Sequence, residues 1–448
     1  MSGISQRCNI KLGMFKTIIK KITPVFLLLG YHFLLAFLGA VFYGFPSRKL
    51  KIIGVTGTKG KTTVCSLICH IFNYCDLKTG MATTVNFRIG NKEWANAAKQ
   101  TMPGRWQLQK LLAQMVQADC KYAVIETSSE GILQYRHKFI DYSVAVFTNL
   151  YPEHIERHGS FENYRSAKVK LFEKVAKKKD SVGIYNLDDD NTNYFTKPPI
   201  KNKFGFTLQG KNDTRVSHRF VVSGIELFAD KSIFYFDNNK IEISLIGKFN
   251  VENAAAAISV ALSQNLKMEE IKKALLQAKA PPGRLEVINE GQDFKVIVDY
   301  SYEQTSLENA LKAVRVFDCQ RIIVVFGSAA GGRDKWRRPA MGKVADQLAD
   351  IVIVTTDDPY DEDPANIVDD ILKAILENKN RTLGENVFRI IDRREAIREA
   401  LRLAGKNDLI LFAGKGGEQW MNVANGKKIP WQEAGIVREE LKDLKQGE

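Results

Sequence analysis

The rhythm of apolar and polar positions divides this chain into stretches of different kinds. From Val25 to Phe45 the run VFLLLGYHFLLAFLGAVFYGF carries no charge. As a helix rising 1.5 Å per residue, about 21 residues just cross a hydrocarbon core ~30 Å thick. The run lies too deep, and lacks the small-residue cleavage site, to read as a signal peptide. Lys16, Lys20 and Lys21 flank one end and Arg48, Lys49 and Lys51 the other, so the positive-inside rule gives no clear orientation. Two expectations stand side by side. In the first, residues 25–45 associate with a membrane, crossing it or lying at the inner leaflet through an apolar face and anionic lipid. In the second, the run packs on the protein itself, with His32 and two glycines at the contact.

After Pro46 apolar strands alternate with amphipathic helices, the pattern of a mostly parallel sheet wrapped by helices. Strands are expected at Lys51–Val55, Tyr122–Ile125, Val144–Phe147, Ile297–Asp299, Ile322–Phe326, Ile351–Thr355 and Leu409–Phe412. Between Ser181 and Ile246 short β-like runs such as SGIELFAD and SIFYFDNN predict an antiparallel addition to the sheet. A helix-rich stretch from Val251 to Ala278 follows. The prolines of Ala280-Pro281-Pro282-Gly283 cannot continue a helix and mark a hinge, after which a second α/β unit runs to about Val437. The expected organisation is α/β: an apolar, basic-flanked segment at 1–48, a phosphate-loop central domain at 49–280, and a Rossmann-like C-terminal domain at 281–448.

Composition narrows the class. In 448 residues, 45% hydrophobic and 26% charged side chains exclude a disordered, collagenous or multi-span membrane chain. The net charge is +14, yet ten cations precede the first acid, Asp76, and the rest of the chain is only mildly basic. A nucleic-acid binder is not the natural reading. None of the six cysteines forms a C-x-x-C pair, and Cys65 and Cys69 lie four apart in a helical stretch. Packed free thiols in a reducing compartment are expected, without zinc site or disulfide framework.

The segment Ile52 to Thr63, IIGVTGTKGKTT, reads as an apolar strand, a glycine-containing turn, and the start of a helix. Those parts hold a triphosphate. Gly57 and Gly60 let the backbone approach phosphate, and the loop and helix N-terminus present N–H groups. Lys61 reaches the terminal phosphates, and the Thr62 hydroxyl can ligate Mg²⁺. The first glycine of the general G-x-x-x-x-G-K-[ST] pattern is absent, because Val55 stands there.

GTKGKTT resembles the phosphate loop of the Mur ligases, ATP-dependent amide ligases that add amino acids to the peptidoglycan precursor. The resemblance continues in order. TMPGRWQLQ from Thr101 is similar to a substrate loop, and ETSSEGILQYR from Glu126 to Arg136 to a metal and substrate motif. FTNLYPEHIERHGSFENYRSAKVKLF, Phe147 to Phe172, is the most specific stretch. IGKFNVENAAAA, PPGRLE, VDYSYEQ, FGSAAGGRDKWRRP, TTDDPYDEDP, DRREAI and AGKGGE follow. The branch most resembled attaches the third residue to UDP-N-acetylmuramoyl-L-alanyl-D-glutamate.

The resemblance implies activation of a carboxylate by the γ-phosphate of ATP, then attack of an amine on the acyl phosphate. It implies catalytic roles for Lys61, Glu126, His154 and Lys168. Magnesium would be held by Thr62, Glu126 and His154, and by Lys168 if that lysine is carbamylated. Without the modification Lys168 reads as a surface helix cation, and His154 as structural or acid–base. ATP would lie on Gly57, Thr58, Lys59, Gly60, Lys61, Thr62 and Thr63, with Asn250 at the adenine and Arg284 and Asp299 reaching over from the C-terminal unit. Thr101, Ser128, Arg136, Arg333, Asp357, Tyr360 and Glu418 would meet the muropeptide and the incoming amino acid. The implied enzyme is a monomer whose catalytic domains are cytoplasmic, at the inner face of the membrane if residues 25–45 attach there.

Departures from the family pattern matter. Tyr302, Glu130 and Gly417 stand where histidines are usual. Tyr360 replaces the arginine of diaminopimelate-adding members, and a phenol cannot bind a carboxylate bidentately. Lysine or another diamino acid is therefore the expected substrate. Fewer than 50 residues precede the phosphate-loop strand, too few for the family's UDP-binding domain, which leaves a lipid-linked acceptor open. Two other readings stay in play: a folylpolyglutamate-synthetase-like ligase, and a non-catalytic ATP-binding subunit at the membrane.

Overall fold

A computed structural model of the protein describes residues 25–96, 100–153, 155–331 and 333–447. The first described element is the helix Val25–Phe42. Its buried side is made of small residues, Ala36, Gly39 and Ala40, with His32, and it packs on the helix Arg105–Gln117. A side chain on Gly39 would press on the Trp106 backbone at 3.3 Å, so the close approach depends on its absence. Of the two expectations for this run, contact with the protein is what the structure shows. Among the described residues no helix is long and apolar enough to cross a membrane.

The central unit is built on one sheet. Its strands in chain order are β1 Lys51–Thr56, β2 Thr79–Ala82, β3 Asn86–Ile89, β4 Lys92–Ala95, β5 Tyr122–Glu126 and β6 Tyr142–Phe147. Then come β7 Val182–Asn186, β8 Asn202–Thr207, β9 His218–Leu227, β10 Ser232–Phe236 and β11 Asn239–Ile243. Their spatial order is β11-β10-β9-β8-β7-β6-β1-β5-β2-β3-β4. β1 pairs in parallel with both β5 and β6, Gly54 facing Ile125 on one side and Ala145 on the other. Such a strand is covered on both faces, which is why KIIGVT is apolar without alternation. The helices Lys61–Tyr74, Lys248–Ser263 and Met268–Leu276 pack one face, and Arg105–Gln117 and Phe161–Val175 the other.

The antiparallel addition expected between Ser181 and Ile246 is confined to β9, β10 and β11. β7 pairs in parallel with β6, and β8 with β7 and β9. Parallel neighbours need a crossover, and the connection from β7 to β8 carries the one-turn helix Thr192–Phe195, too short to show a period in the sequence. Of the described cysteines, Cys65, Cys69 and Cys120 are buried and Cys75 and Cys319 half-buried, all as free thiols.

The second unit has strands β12 Glu286–Ile288, β13 Lys295–Asp299, β14 Ile322–Phe326, β15 Ile351–Val354, β16 Val387–Arg389 and β17 Leu409–Ala413, in the spatial order β12-β13-β17-β14-β15-β16. Within this six-stranded sheet only the β12 edge pairing is antiparallel among the described residues. Apolar clusters fill both faces. The loops leaving β13, β14, β15 and β17 therefore gather at one rim, where open parallel sheets bind ligands. Arg393 ties that rim together. It donates to Thr356 O at 3.1 Å beyond β15, to Ala413 O at 2.8 Å at the end of β17, and to Glu433 at 2.6 Å. Both side chains of the pair are fully buried.

Breaking this pair from one side leaves a buried charge with no partner. Glu433→Ala should destabilise the C-terminal unit by about 3–5 kcal/mol, whereas replacing Arg393 and Glu433 together by apolar residues should cost less than Glu433→Ala. Urea midpoints of the three proteins check this, and a double replacement as costly as the single one would refute it.

Candidate functional site

The phosphate loop leaves the carboxyl end of β1, the strand flanked by two parallel neighbours. Gly57 has φ +150 and Gly60 φ +81, and a Cβ at either would collide with Thr148 Oγ1 or Asn253 Oδ1 respectively. Glycine is required at both for conformation and for space. The loop is pinned from the β6 side: Thr58 N donates to Asn149 O at 2.9 Å and Lys59 N to Asn149 Oδ1 at 2.8 Å. Thr58 Oγ1 lies 3.0 Å from the Tyr164 hydroxyl. Lys61 opens the helix Lys61–Tyr74 and folds back to donate to Thr58 O at 2.8 Å. Burial lowers its pKa from the usual lysine value. Thr63, two residues further on, is buried.

Thr62 Oγ1 donates to Glu126 Oε2 at 2.9 Å, bringing two oxygen ligands together at the helix start. Glu126 ends β5, and its Oε2 also accepts from Thr84 N at 2.8 Å. The Thr84 hydroxyl lies 2.9 Å from Glu126 Oε1 and 3.0 Å from Thr101 Oγ1. Glu126 and the loop carrying Thr101 thus share one threonine, which sequence reasoning did not single out. Lys168 is buried rather than a surface cation. Its Nζ donates to Gly57 O at 2.7 Å and sits over the Tyr164 ring at 4.5 Å. Burial, then the neighbouring Lys61 ammonium, push its pKa well below the usual lysine range. His154 lies outside the described residues.

The C-terminal unit closes on this loop. Lys59 Nζ is 2.9 Å from Glu303 and 3.6 Å from Glu153. Burial alone would depress the Lys59 pKa, but Glu153, Tyr302 and Glu303 hold it above the usual lysine range. Tyr302 lies with its hydroxyl 3.3 Å from Glu153 Oε1. Its ring takes Lys59 at 4.6 Å and Arg333 at 5.9 Å. Arg284 stacks on Tyr300 at 4.6 Å, with its Nε buried and without a hydrogen-bond partner. Asp299 accepts from Leu285 N at 2.7 Å and from the Ser301 hydroxyl. It fixes the turn that carries Arg284. Asn250 is similarly committed, donating to Ile246 O at 2.9 Å and accepting from Asn253 at 3.0 Å, while Asn253 abuts Gly60.

Across the same rim, Lys415 follows β17 with no exposure. Its Nζ lies 2.6 Å from Glu418, 2.8 Å from Asp358 and 3.5 Å from Asp357. The three carboxylates converge closely enough to suggest a cation site, and the ammonium supplies the cation. Glu418 also accepts from the Tyr300 hydroxyl at 3.1 Å. Tyr360 adopts φ +51, donates its N–H to Asn422 O at 3.2 Å, and covers Gly331 so closely that a Cβ there would meet the ring at 2.6 Å. Thr84, Lys415, Glu153, Asp358 and Asn253 are neighbours of the candidate residues that sequence reasoning did not single out. Lys415 lies inside the AGKGGE motif, which was the available signal. Gly417 has a steric explanation, since a Cβ there would lie 2.5 Å from Pro282 O in the hinge. Glu130 is half-buried and faces Arg157 at 3.7 Å.

On the acceptor side Ser128 caps the helix Ser129–Leu133, accepting from Gly131 N at 3.1 Å. Arg136 donates to Met102 O and to Gln100 Oε1, gripping the loop that carries Thr101. Arg105, at the end of that loop, donates to Gln134 O at 2.7 Å and touches His32.

The chain matches the Mur ligase middle domain over residues 55–261 and the Mur ligase glutamate ligase domain over residues 283–416. It is 35% identical over 424 residues to the UDP-N-acetylmuramoyl-L-alanyl-D-glutamate–2,6-diaminopimelate ligase of Geobacillus kaustophilus, covering 94% of this chain and 84% of that protein. The UDP-N-acetylmuramyl-tripeptide synthetase of Roseiflexus sp. is also 35% identical, with 92% and 82% covered. A solved diaminopimelate ligase of the same name superposes with TM-score 0.60 at 28% identity, over 88% of this chain and 79% of that one. Folylpolyglutamate synthase of Mycobacterium tuberculosis, complexed with ADP, gives TM-score 0.68 at 15% identity over 93% and 94%, a likeness of fold alone. With both domain models matched in order around one shared cleft, the chain belongs to the Mur ligase family.

Proposed function

We propose that this protein is an ATP-dependent amide ligase of the tripeptide-synthetase type, joining an amino acid to a UDP-N-acetylmuramoyl-dipeptide in peptidoglycan precursor synthesis. One observation carries the reading. The phosphate loop of one unit and the carboxylate–ammonium cluster of the other face a single cleft, joined by Lys59–Glu303 and Tyr302–Glu153. Energy source and bond-forming site are thereby held together.

In the first step an acceptor carboxylate oxygen attacks the γ-phosphorus of ATP and ADP leaves. In the second an amine attacks the acyl carbon and inorganic phosphate leaves. Both steps gather negative charge, so positioning and electrostatics are the main requirement. Lys61, now turned onto Thr58 O, is the ammonium able to swing to the terminal phosphates. The Thr62–Glu126 oxygen pair suits a hard cation and would hold Mg²⁺, with His154 as a further ligand. Bound there, magnesium would neutralise phosphate charge. Burial shifts Lys168 toward the neutral amine, the form that reacts with CO₂. Its carbamate would place a new anion beside Gly57 O and next to Lys61. Arg284 reaches toward the nucleotide from the far unit, and Thr101, Ser128 and Arg136 receive the acceptor. The setting is the cytoplasm, where ATP is available, and the working unit is a monomer.

Arg333, Asp357, Tyr360 and Glu418 surround the incoming amino acid. The acidic cluster attracts its ammonium, and Tyr360 offers no bidentate grip for a second carboxylate. Lysine or a similar diamino acid is the substrate this supports.

Purified protein given ATP, Mg²⁺, UDP-N-acetylmuramoyl-L-alanyl-D-glutamate and a panel of amino acids should release phosphate and form a conjugate identifiable by mass. Lysine-like members should be preferred, and strong selectivity for meso-diaminopimelate would refute the specificity reading. Absence of ADP and conjugate with every muropeptide pair, alongside turnover with a folate and glutamate, would refute the substrate class.

Lys168→Ala should lower ligation at least about 100-fold while leaving ADP affinity within a few-fold, the pattern of a lost transition-state interaction. A non-catalytic ATP-binding subunit would show no change in phosphate release. Removing dissolved CO₂ should lower wild-type activity, bicarbonate should restore it, and neither treatment should affect the variant.

Tyr360→Arg should move the ratio of kcat/KM toward meso-diaminopimelate by about tenfold or more, the worth of one bidentate pair. An unchanged ratio would place the specificity contact elsewhere.

A further inference from the structure

The helix Val25–Phe42 is amphipathic by size instead of polarity. At 100° per residue Leu27, Tyr31, Leu34, Leu38, Val41 and Phe42 fall on one stripe. All six are exposed, Phe42 by 69%. The opposite side, with Ala36, Gly39 and Ala40, is the one that packs on the protein. A helix that only completed a core would turn its large apolar residues inward and its small ones out. Here the small side sits on the protein, Phe33 and Phe37 flank it against Phe139 at 5.1 and 5.4 Å, and the stripe of six large residues remains exposed.

We propose that this outer stripe docks the protein in the plane of an anionic lipid bilayer. The charge pattern selects lipid over a second copy of the chain. No acid occurs before Asp76, while Lys16, Lys20 and Lys21 precede the helix and Arg48 and Lys49 follow it. Pairing two such helices, in either direction, sets cation against cation, whereas anionic headgroups complement both ends. The aromatic residues agree. Phe42 and Tyr43 pack on Trp106 at 5.0 and 5.7 Å, giving the stripe an exposed indole of the kind found at a membrane–water boundary. Because its small side is held by the helix Arg105–Gln117, the docked helix lies along the surface, sunk about 5–10 Å into the headgroup boundary.

Docking also orients the cleft. Arg105 contacts His32 of the docked helix and sits four residues after Thr101, in the loop that Arg136 grips. The acceptor loop is therefore carried at the rim of the membrane-facing side. This inference stands on the helix and its charges, independent of the reaction proposed for the cleft.

The test is sedimentation of the full chain with vesicles of phosphatidylcholine, with and without phosphatidylglycerol. Binding is expected to the anionic vesicles and to weaken with salt. The double variant Leu34→Glu/Leu38→Glu should lower it at least about tenfold with the thermal midpoint unchanged, since both positions are exposed. Phe42→Glu gives a second, independent probe of the stripe. Brominated lipid should quench wild-type tryptophan fluorescence, and Trp106→Phe should remove most of that quenching. Failure of the wild type to bind, binding unaltered in the Glu variants, or a lipid-free dimer abolished by those variants would each overturn the proposal.

Discussion

The cleft depends on one ammonium group, Lys59. It belongs to the phosphate loop, yet both its carboxylate partners lie elsewhere: Glu153 after β6 and Glu303 at the head of a helix in the other unit. Glu303 is itself the cap of that helix, accepting from Thr305 N and Ser306 N. A buried ammonium requires such partners. The loop and the second unit are therefore held against each other by charge that neither could bury alone, and the nucleotide site is an interface by construction.

Much of this could be read from sequence, for a physical reason. Strands covered on both faces must be apolar throughout, so β1, β5, β6, β14 and β17 announce themselves as short unbroken runs. The phosphate loop is equally legible, because glycine, lysine and threonine must fall at fixed spacing for backbone to approach phosphate. The parallel course of β7 and β8 was hidden because their crossover holds only a single helical turn. Thr84 and Lys415 were hidden for another reason. Their importance lies in partners 42 and 57 residues away, Glu126 and Asp358, and pairing over such a distance leaves no local period. Lys168 shows the limit from the other side, since a lysine in a run of lysines looks solvated until burial is known.

The N-terminal helix was ambiguous on hydropathy because every side of it is apolar. Residue volume, not polarity, separates its faces. Small residues at the contact allow the backbones of two helices to approach closely, and that same choice leaves the stripe from Leu27 to Phe42 exposed.

The three positions at which the resemblance implies a histidine divide along similar lines. At Gly417 no side chain fits, because the hinge carbonyl of Pro282 occupies the place where a Cβ would go, and the hinge and the β17 loop are locked backbone to backbone. Tyr302 keeps what an imidazole would offer at that place, a polar atom near Glu153 and a flat face, and adds a ring large enough to meet Lys59, Arg333 and Arg337. Glu130 is half-buried and takes no part in this contact, facing Arg157 instead. Two of the departures thus belong to the closure of the units over each other, and neither removes a group from the phosphate loop or from the Thr62–Glu126 oxygen pair. Tyr302 and Gly417 thus sit where the units meet, apart from the loop and the oxygen pair proposed to face a triphosphate.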